Sequence, residues 1–146
     1  MATYAFKALD LSGSPTKGEI DAADKQTVDR IIDVFPSNQQ GQVRMQLAVG
    51  LQGIVTQTLL PTADGQGRVV ATEVLVPTPG VRNLIREGKT HQIYSALQTG
   101  GQHGMQTMDT SLSQLVREHK ITRELAEARS GTPDELRRLM GTVRVA

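Results

Sequence analysis

The 146-residue chain has no cysteine and no tryptophan. It therefore has no disulfide framework, thiolate metal site or cysteine nucleophile. Aromatic residues make up only 3% of it: Tyr4, Phe6, Phe35 and Tyr94. Leucine, isoleucine, valine and methionine must then build the core. No charge of one sign dominates, because 16 Lys+Arg stand against 15 Asp+Glu and the net charge is +1. That balance excludes a strongly basic nucleic-acid binder. No apolar run approaches the roughly 20 residues of a membrane helix. The start, Met-Ala-Thr-Tyr-Ala-Phe-Lys, lacks the basic and apolar regions of a signal peptide. The length suits one domain with a modest core. Together these absences predict a soluble, cytoplasmic, mixed domain without direct membrane insertion.

What is present divides by periodicity. Tyr4, Phe6 and Ala8 alternate with Ala5, Lys7 and Leu9, a period of two. The turn cluster Asp10–Pro15 and a second short strand from Lys17 to Ala22 complete a predicted hairpin. Val28, Ile31, Ile32 and Phe35 then follow helical spacing, with Thr27 as cap and Pro36 as stop. Ser37 and Gln40 are spaced as the capping box of a second helix. Val43, Leu47, Leu51 and Ile54 form its stripe, and Gln39, Gln42 and Gln46 its solvated or partner-facing side. Strands from Ile54 to Leu60 and from Arg68 to Val76 flank the turn signal Asp64-Gly65, predicting an antiparallel hairpin. The near-continuous apolar run of the second strand predicts cover on both faces. Helices are expected from Thr78-Pro79 to Glu87, from His91 to Gln98, from Met105 to Glu118, from Thr122 to Ala128, and from Thr132-Pro133 to Met140. Met105, Met108, Leu112, Leu115 and Val116 read as one face of the third of these. The tail from Thr142 to Ala146 reads as frayed.

Residues 1–27 hold three Lys and four acids, whereas the remainder holds 13 basic and 11 acidic residues and every Arg. This shift in basic-residue usage suggests two sources for one chain. The phosphate-binding pattern G-x-x-x-x-G-K-[ST] is absent. Gly65-Gln66-Gly67 reads as a hairpin turn, and Gly100–Gly104 as a helix break that admits close packing. His91, His103 and His119 form no i, i+4 pair, so a metal site is not expected. One segment stands out: Val81-Arg82-Asn83-Leu84-Ile85-Arg86-Glu87. Val81, Leu84 and Ile85 form its buried side. Arg82 with Arg86, and Asn83 with Glu87, make i, i+4 pairs on other faces. The bland reading is a solvated helix face. The functional reading is a docking surface whose paired guanidinium groups reach carboxylates on a neighbour.

From about Thr27 to Leu139 the sequence resembles the C-terminal part of the PilT family of type IV pilus retraction ATPases. The words that carry the resemblance run in order. They begin with Val28-Asp29-Arg30-Ile31-Ile32-Asp33-Val34-Phe35-Pro36, then Gln42-Val43-Arg44 through Leu51-Gln52-Gly53. Leu59-Leu60-Pro61, Ala63-Asp64-Gly65, Gly67-Arg68 and Glu73-Val74-Leu75 follow. Arg82 through Lys89, His91-Gln92-Ile93 and Gly104-Met105-Gln106-Thr107-Met108-Asp109 complete the series. The family's retraction motif, Ala-Ile-Arg-Asn-Leu-Ile-Arg-Glu, stands here as Gly80-Val81-Arg82-Asn83-Leu84-Ile85-Arg86-Glu87. Gly80 and Val81 are its two departures, and Gly80 is expected to loosen the helix start. The first segment, Tyr4–Asp10 with Gly13, Lys17-Gly18-Glu19-Ile20 and Ala22, resembles the N-terminus of the pilus platform protein PilC and the related secretion protein GspF.

The resemblance implies a chimera. Residues 1–26 correspond to a platform-protein hairpin and 27–146 to a truncated motor region, joined near Asp24–Thr27. The implied fold is α+β and mostly helical: the C-terminal portion of a RecA-like ATPase domain with a short antiparallel hairpin, plus the N-terminal β-hairpin. In the family the P-loop, acidic boxes and His box precede the stretch matched from Val28, and none of them occurs in this sequence. The family uses ATP and magnesium, so the resemblance implies lost hydrolysis and no cofactor. The implied partners are pilus motor subunits and the inner-membrane platform protein, with a homo-oligomer also open and nucleic acid excluded. The implied location is the cytoplasm, up to the periphery of the inner membrane. The rival reading is an accessory subunit that joins full-length motor hexamers and modulates ATP-driven retraction. A central sheet without its remaining strands would have an open edge, and the N-terminal hairpin is expected to cover part of it.

Overall fold

Alternation at the start of the chain produces two strands, β1 (Thr3–Leu9) and β2 (Pro15–Asp21). They pair antiparallel, with Thr3 opposite Asp21, Phe6 opposite Gly18 and Leu9 opposite Pro15. The computed structural model of the chain describes residues 3–9, 15–21 and 27–141. The expected turn residues Asp10–Ser14, most of the junction before Thr27 and the tail from Thr142 lie outside these.

Helical spacing takes over at α1 (Thr27–Asp33), which buries Val28, Ile31 and Ile32 and stops ahead of Pro36. Thr27 is the first residue of the helix, and its buried hydroxyl has no partner among the described residues. The next helix, α2 (Ser37–Gly50), corrects the capping-box expectation. Pro36 holds the N-cap position, and no side chain bonds to the helix start. Gln40 instead donates to the Phe35 carbonyl at 3.1 Å. Pro36 already fixes the extended backbone that a cap needs, which moves Ser37 one place into the helix. Val43 and Leu47 of the expected stripe pack on the core around Ala48, which is fully enclosed; the helix ends at Gly50, so Leu51 and Ile54 reach that core from beyond it.

Strands β3 (Ile54–Pro61) and β4 (Arg68–Leu75) form a second two-stranded sheet. Consecutive strands joined by so short a loop can pair only antiparallel. Gly65 takes φ +69°, and Asp64 Oδ1 accepts from the Thr62 hydroxyl at 2.6 Å and from Gln66 N at 2.9 Å. Those two bonds hold the Asp64 carboxyl below the usual aspartate range. The cover expected on both faces of β4 is only partial. Ala71, Glu73 and Leu75 are buried, but Val70 is 42% exposed, and Val55 and Leu59 on β3 are each 58% exposed. Nor does the N-terminal hairpin extend this sheet, because β1–β2 and β3–β4 are separate sheets. A lone hairpin has one face to give to a core, and its other face stays wet.

The rest is helical. Thr78 caps α3 (Pro79–Arg86), accepting from Val81 N, and Gly88 at φ +69° lets the chain turn away. A 3-10 turn at Thr90–Gln92 leads into α4 (Ile93–Thr99), and another spans Gly101–His103. Then come α5 (Met108–Arg117), α6 (Arg123–Arg129) and α7 (Pro133–Met140). Helix α5 begins three residues later than Met105. Gln106 reaches back to β4, donating to the Thr72 carbonyl at 2.8 Å, and Thr107 then caps the helix by accepting from Thr110 N at 3.1 Å. Among the described residues, no helix is long and apolar enough to cross a membrane.

The chain divides into two compact units. One comprises Met1–Thr56 and Val74–Met105; the other comprises Gln57–Glu73 and Gln106–Ala146. Each has its own core. In the first, Ile32, Val81 and Ile85 are fully enclosed among Val28, Ile93, Leu97 and Met105. In the second, Leu60, Ala71, Ala126 and Leu136 are fully enclosed among Met108, Leu112, Leu115 and Ile121. The expected single stripe from Met105 to Val116 is therefore split between two cores. In the second unit, Glu73 accepts from Met108 N at 3.2 Å, and Thr72 N donates to Ser111 Oγ at 3.0 Å. Asp109, buried, accepts from Ser130 Oγ at 2.7 Å and from Thr132 Oγ1, which anchors the start of α7.

Close packing at Gly100 yields a test. A methyl group there would sit 2.5 Å from Met105 Cε and 2.8 Å from the Ala96 carbonyl oxygen, whereas Gly101 has nothing within 4 Å. Gly100→Ala should cost about 1–3 kcal/mol through overpacking, and Gly101→Ala should change stability little. Urea unfolding of the two variants measures the difference, and equal stabilities would contradict the packing described.

Candidate functional site

The motif helix α3 sorts its side chains by depth. Val81 and Ile85 are fully enclosed, Leu84 packs against the same core, and Asn83, Arg86 and Glu87 are exposed. This is the i, i+3, i+4 arrangement that the sequence predicts. Around Gly80, Thr78 and Pro79 hold the first turn.

The two arginines part company. Arg82 Nη1 donates to the Ala48 carbonyl at 2.5 Å and to the Val49 carbonyl at 2.9 Å. These oxygens lie in the last turn of α2, where backbone acceptors have no partner within the helix. A guanidinium there satisfies them and complements the negative end of the helix dipole. Through Nη1, Arg82 is thus a clamp within the unit. Arg86 stays outside: its Nη2 donates to Asn83 Oδ1 at 3.0 Å, and Asn83 Nδ2 donates to Glu87 Oε1 at 2.8 Å. Glu87 also pairs with Lys89 at 2.7 Å. The Lys89 ammonium, then the Asn83 amide, hold the Glu87 carboxyl below the usual glutamate range. The exposed face is therefore an ordered strip, Arg86–Asn83–Glu87–Lys89, with charges of alternating sign.

Sequence reasoning missed Arg44 and Lys89. Arg44 extends from α2 over Gly88, where an added Cβ would meet its Nε at 3.5 Å. That Nε is buried and has no hydrogen-bond partner among the described residues. With Arg82 at the end of α2 and Arg44 at the end of α3, the two helices run antiparallel, each with a guanidinium from the other near its carbonyl end. Neither Arg44 nor Lys89 obeys a helical spacing with its partner, so no local signal marks them.

Two other kinds of site do not assemble among the described residues, a phosphate loop and a metal centre. Gly88-Lys89-Thr90 spells the end of a phosphate-binding pattern, but Asn83 stands where its first Gly belongs. Gly88 follows a helix, Lys89 pairs with Glu87, and the Thr90 hydroxyl donates to Asp29 Oδ2 at 3.0 Å. A phosphate loop needs a strand before it and free donors within it. No group of three or more His, Asp or Glu among the described residues is placed to hold a metal ion.

The division of labour in α3 sets two expectations. Arg82→Ala should destabilise the chain by about 1.5–3 kcal/mol, the value of a charged hydrogen bond, while Arg86→Ala should stay within about 0.5 kcal/mol. Chemical unfolding of both variants checks this, and reversed sizes would refute the clamp. Glu87 should titrate below the ordinary glutamate range by NMR, and Lys89→Ala should move it upward. Because its pKa falls on folding, its contribution is present above the unfolded pKa and fades as pH drops through the folded one.

Comparison with known proteins places this geometry. Residues 1–32 match the family described as type II secretion system protein F, N-terminal domain. The chain is 50% identical over 111 residues to the twitching motility protein of Neisseria gonorrhoeae, covering 76% of this chain and 30% of that protein. It is 47% identical over 109 residues to the type IV pilus retraction ATPase PilT of Pseudomonas aeruginosa, covering 75% of this chain and 31% of that protein. The crystal structure of the pilus retraction motor PilT with bound ADP superposes with a TM-score of 0.68 at 47% identity, over 79% of this chain and 32% of that one. The chain thus spans less than a third of the length of these relatives. It carries homology to the C-terminal region of the pilus retraction ATPase PilT, after a start that matches the N-terminal domain of secretion protein F.

Proposed function

We propose that this chain is a non-catalytic fragment of a type IV pilus retraction motor. In this reading it keeps the retraction-like surface Gly80–Glu87 and has no nucleotide site of its own. Residues 1–26 act as a platform-protein-like hairpin and residues 27–146 as the motor-derived part. The partners are pilus motor subunits and the inner-membrane platform protein, met at the cytoplasmic side. Joining intact motor hexamers and altering their ATP-driven work would be a consequence of the same surface.

The observation that carries the reading is the ordered strip on α3. Arg86, Asn83 and Glu87 are exposed yet bonded to one another, so their geometry is set before any partner arrives. Pre-set side chains lose little freedom on docking, which favours a binding role over a merely solvated face.

Two measurements test it. Purified chain with magnesium and ATP should release no phosphate above a protein-free blank, and a magnesium-dependent rate that survives purification would refute the non-catalytic part. Immobilised chain should retain an intact PilT-type motor, and Arg86→Ala should weaken that retention roughly tenfold, as for a central interface arginine. No retention, or retention indifferent to Arg86, would refute the surface.

A further inference from the structure

Arg86 has hydrogen-bonding capacity that the α3 strip does not use. A guanidinium carries its N–H donors as two forked edges in a rigid plane. One edge joins Nε to Nη2 and the other joins Nη1 to Nη2, each through a different hydrogen of Nη2. Arg86 Nη2 donates to Asn83 Oδ1 at 3.0 Å, and no other hydrogen bond holds this side chain among the described residues. That bond occupies one edge and leaves the other whole. Arg86 is exposed, so the whole edge is open to a partner. It is also held in place. Asn83 is fixed in turn by Glu87 at 2.8 Å, and Glu87 by Lys89 at 2.7 Å.

An open two-donor edge matches the two oxygens of a carboxylate. Charge narrows the choice further. The strip holds two cations, Arg86 and Lys89, and one anion, Glu87, which leaves a single positive charge. One carboxylate neutralises it. A phosphate group, with about two negative charges at neutral pH, exceeds it and meets the Glu87 carboxylate as well. We infer that the open edge of Arg86 takes one aspartate or glutamate side chain of the motor partner, with Asn83 as its positioning residue. The inference deepens the proposed motor role and rests on it. It also narrows the sequence expectation of paired guanidinium groups to one, because Arg82 Nη1 serves the α2 carbonyls while Arg86 faces outward.

Equilibrium titration of the full chain against an intact PilT-type motor tests the contact. Arg86→Lys keeps the charge and loses the fork. It should weaken binding about tenfold, nearly as much as Arg86→Ala. Asn83→Ala should weaken binding at least about twofold in the unchanged chain and not at all in the Arg86→Ala chain, because the two residues act as one unit. Carbodiimide coupling then identifies the ligand. With motor in excess, the amine introduced by Arg86→Lys should form an amide with an aspartate or glutamate of the motor, the carboxyl oxygen leaving in the urea by-product. Mass spectrometry should find the joined peptides. Binding that Arg86→Lys preserves would overturn the inference and leave the motor role standing. So would a position 86 amine that couples to no motor carboxylate, or an Asn83→Ala effect that persists without Arg86. A motor that does not bind the unchanged chain would overturn both.

Discussion

A helix that ends inside a protein leaves carbonyl oxygens in need of donors, and much of the first unit follows from how that need is met. Arg82 supplies the donors for α2 from the middle of α3. To do so it must lie alongside Ala48 and Val49, which fixes the relative slide of the two helices. The fixed slide sets Val81 and Ile85 into the core and places Arg44 above Gly88. With Arg82 committed inward, the remaining polar residues of α3 form a separate outward strip.

The same logic operates in the second unit with donor and acceptor exchanged. There the start of α5 needs acceptors, and Glu73 on β4 provides one at Met108 N. Gln106 and Ser111 add bonds to Thr72 on either side. Two of the words that carry the family resemblance, Glu73-Val74-Leu75 and Gly104–Asp109, are thereby joined in space. In this chain they form one hydrogen-bonded joint between a strand and a helix start.

Local chemistry was readable from the sequence wherever a residue acts on its own neighbours. Thr78, Pro79 and Gly88 bound α3 as their types demand, and Asp64-Gly65 turns the hairpin. Reading failed where another partner competes. Ser37 and Gln40 have the spacing of a capping box, but Pro36 takes the cap and Gln40 serves Phe35. Met105 continues the apolar period of α5, yet Gln106 is drawn to β4 and the helix starts late. Arg82 and Arg86 look equivalent by spacing, and only the fold shows that one faces carbonyls more than thirty residues away while the other faces solvent. Periodicity reports which side of a helix is apolar; it does not report what a polar residue will find there.

The interleaving of the two units has a consequence for synthesis. Residues 57–73 emerge from the ribosome before the first unit is complete, yet their core partners begin only after residue 105. At about 5–20 residues per second, Leu60 and Ala71 wait several seconds for α5 to α7. Once residue 105 has been made, the first unit has its whole sequence and the hairpin still lacks its partners. A nascent chain stalled between residues 105 and 140 would thus display a finished half beside an apolar strand pair, a natural substrate for holding chaperones.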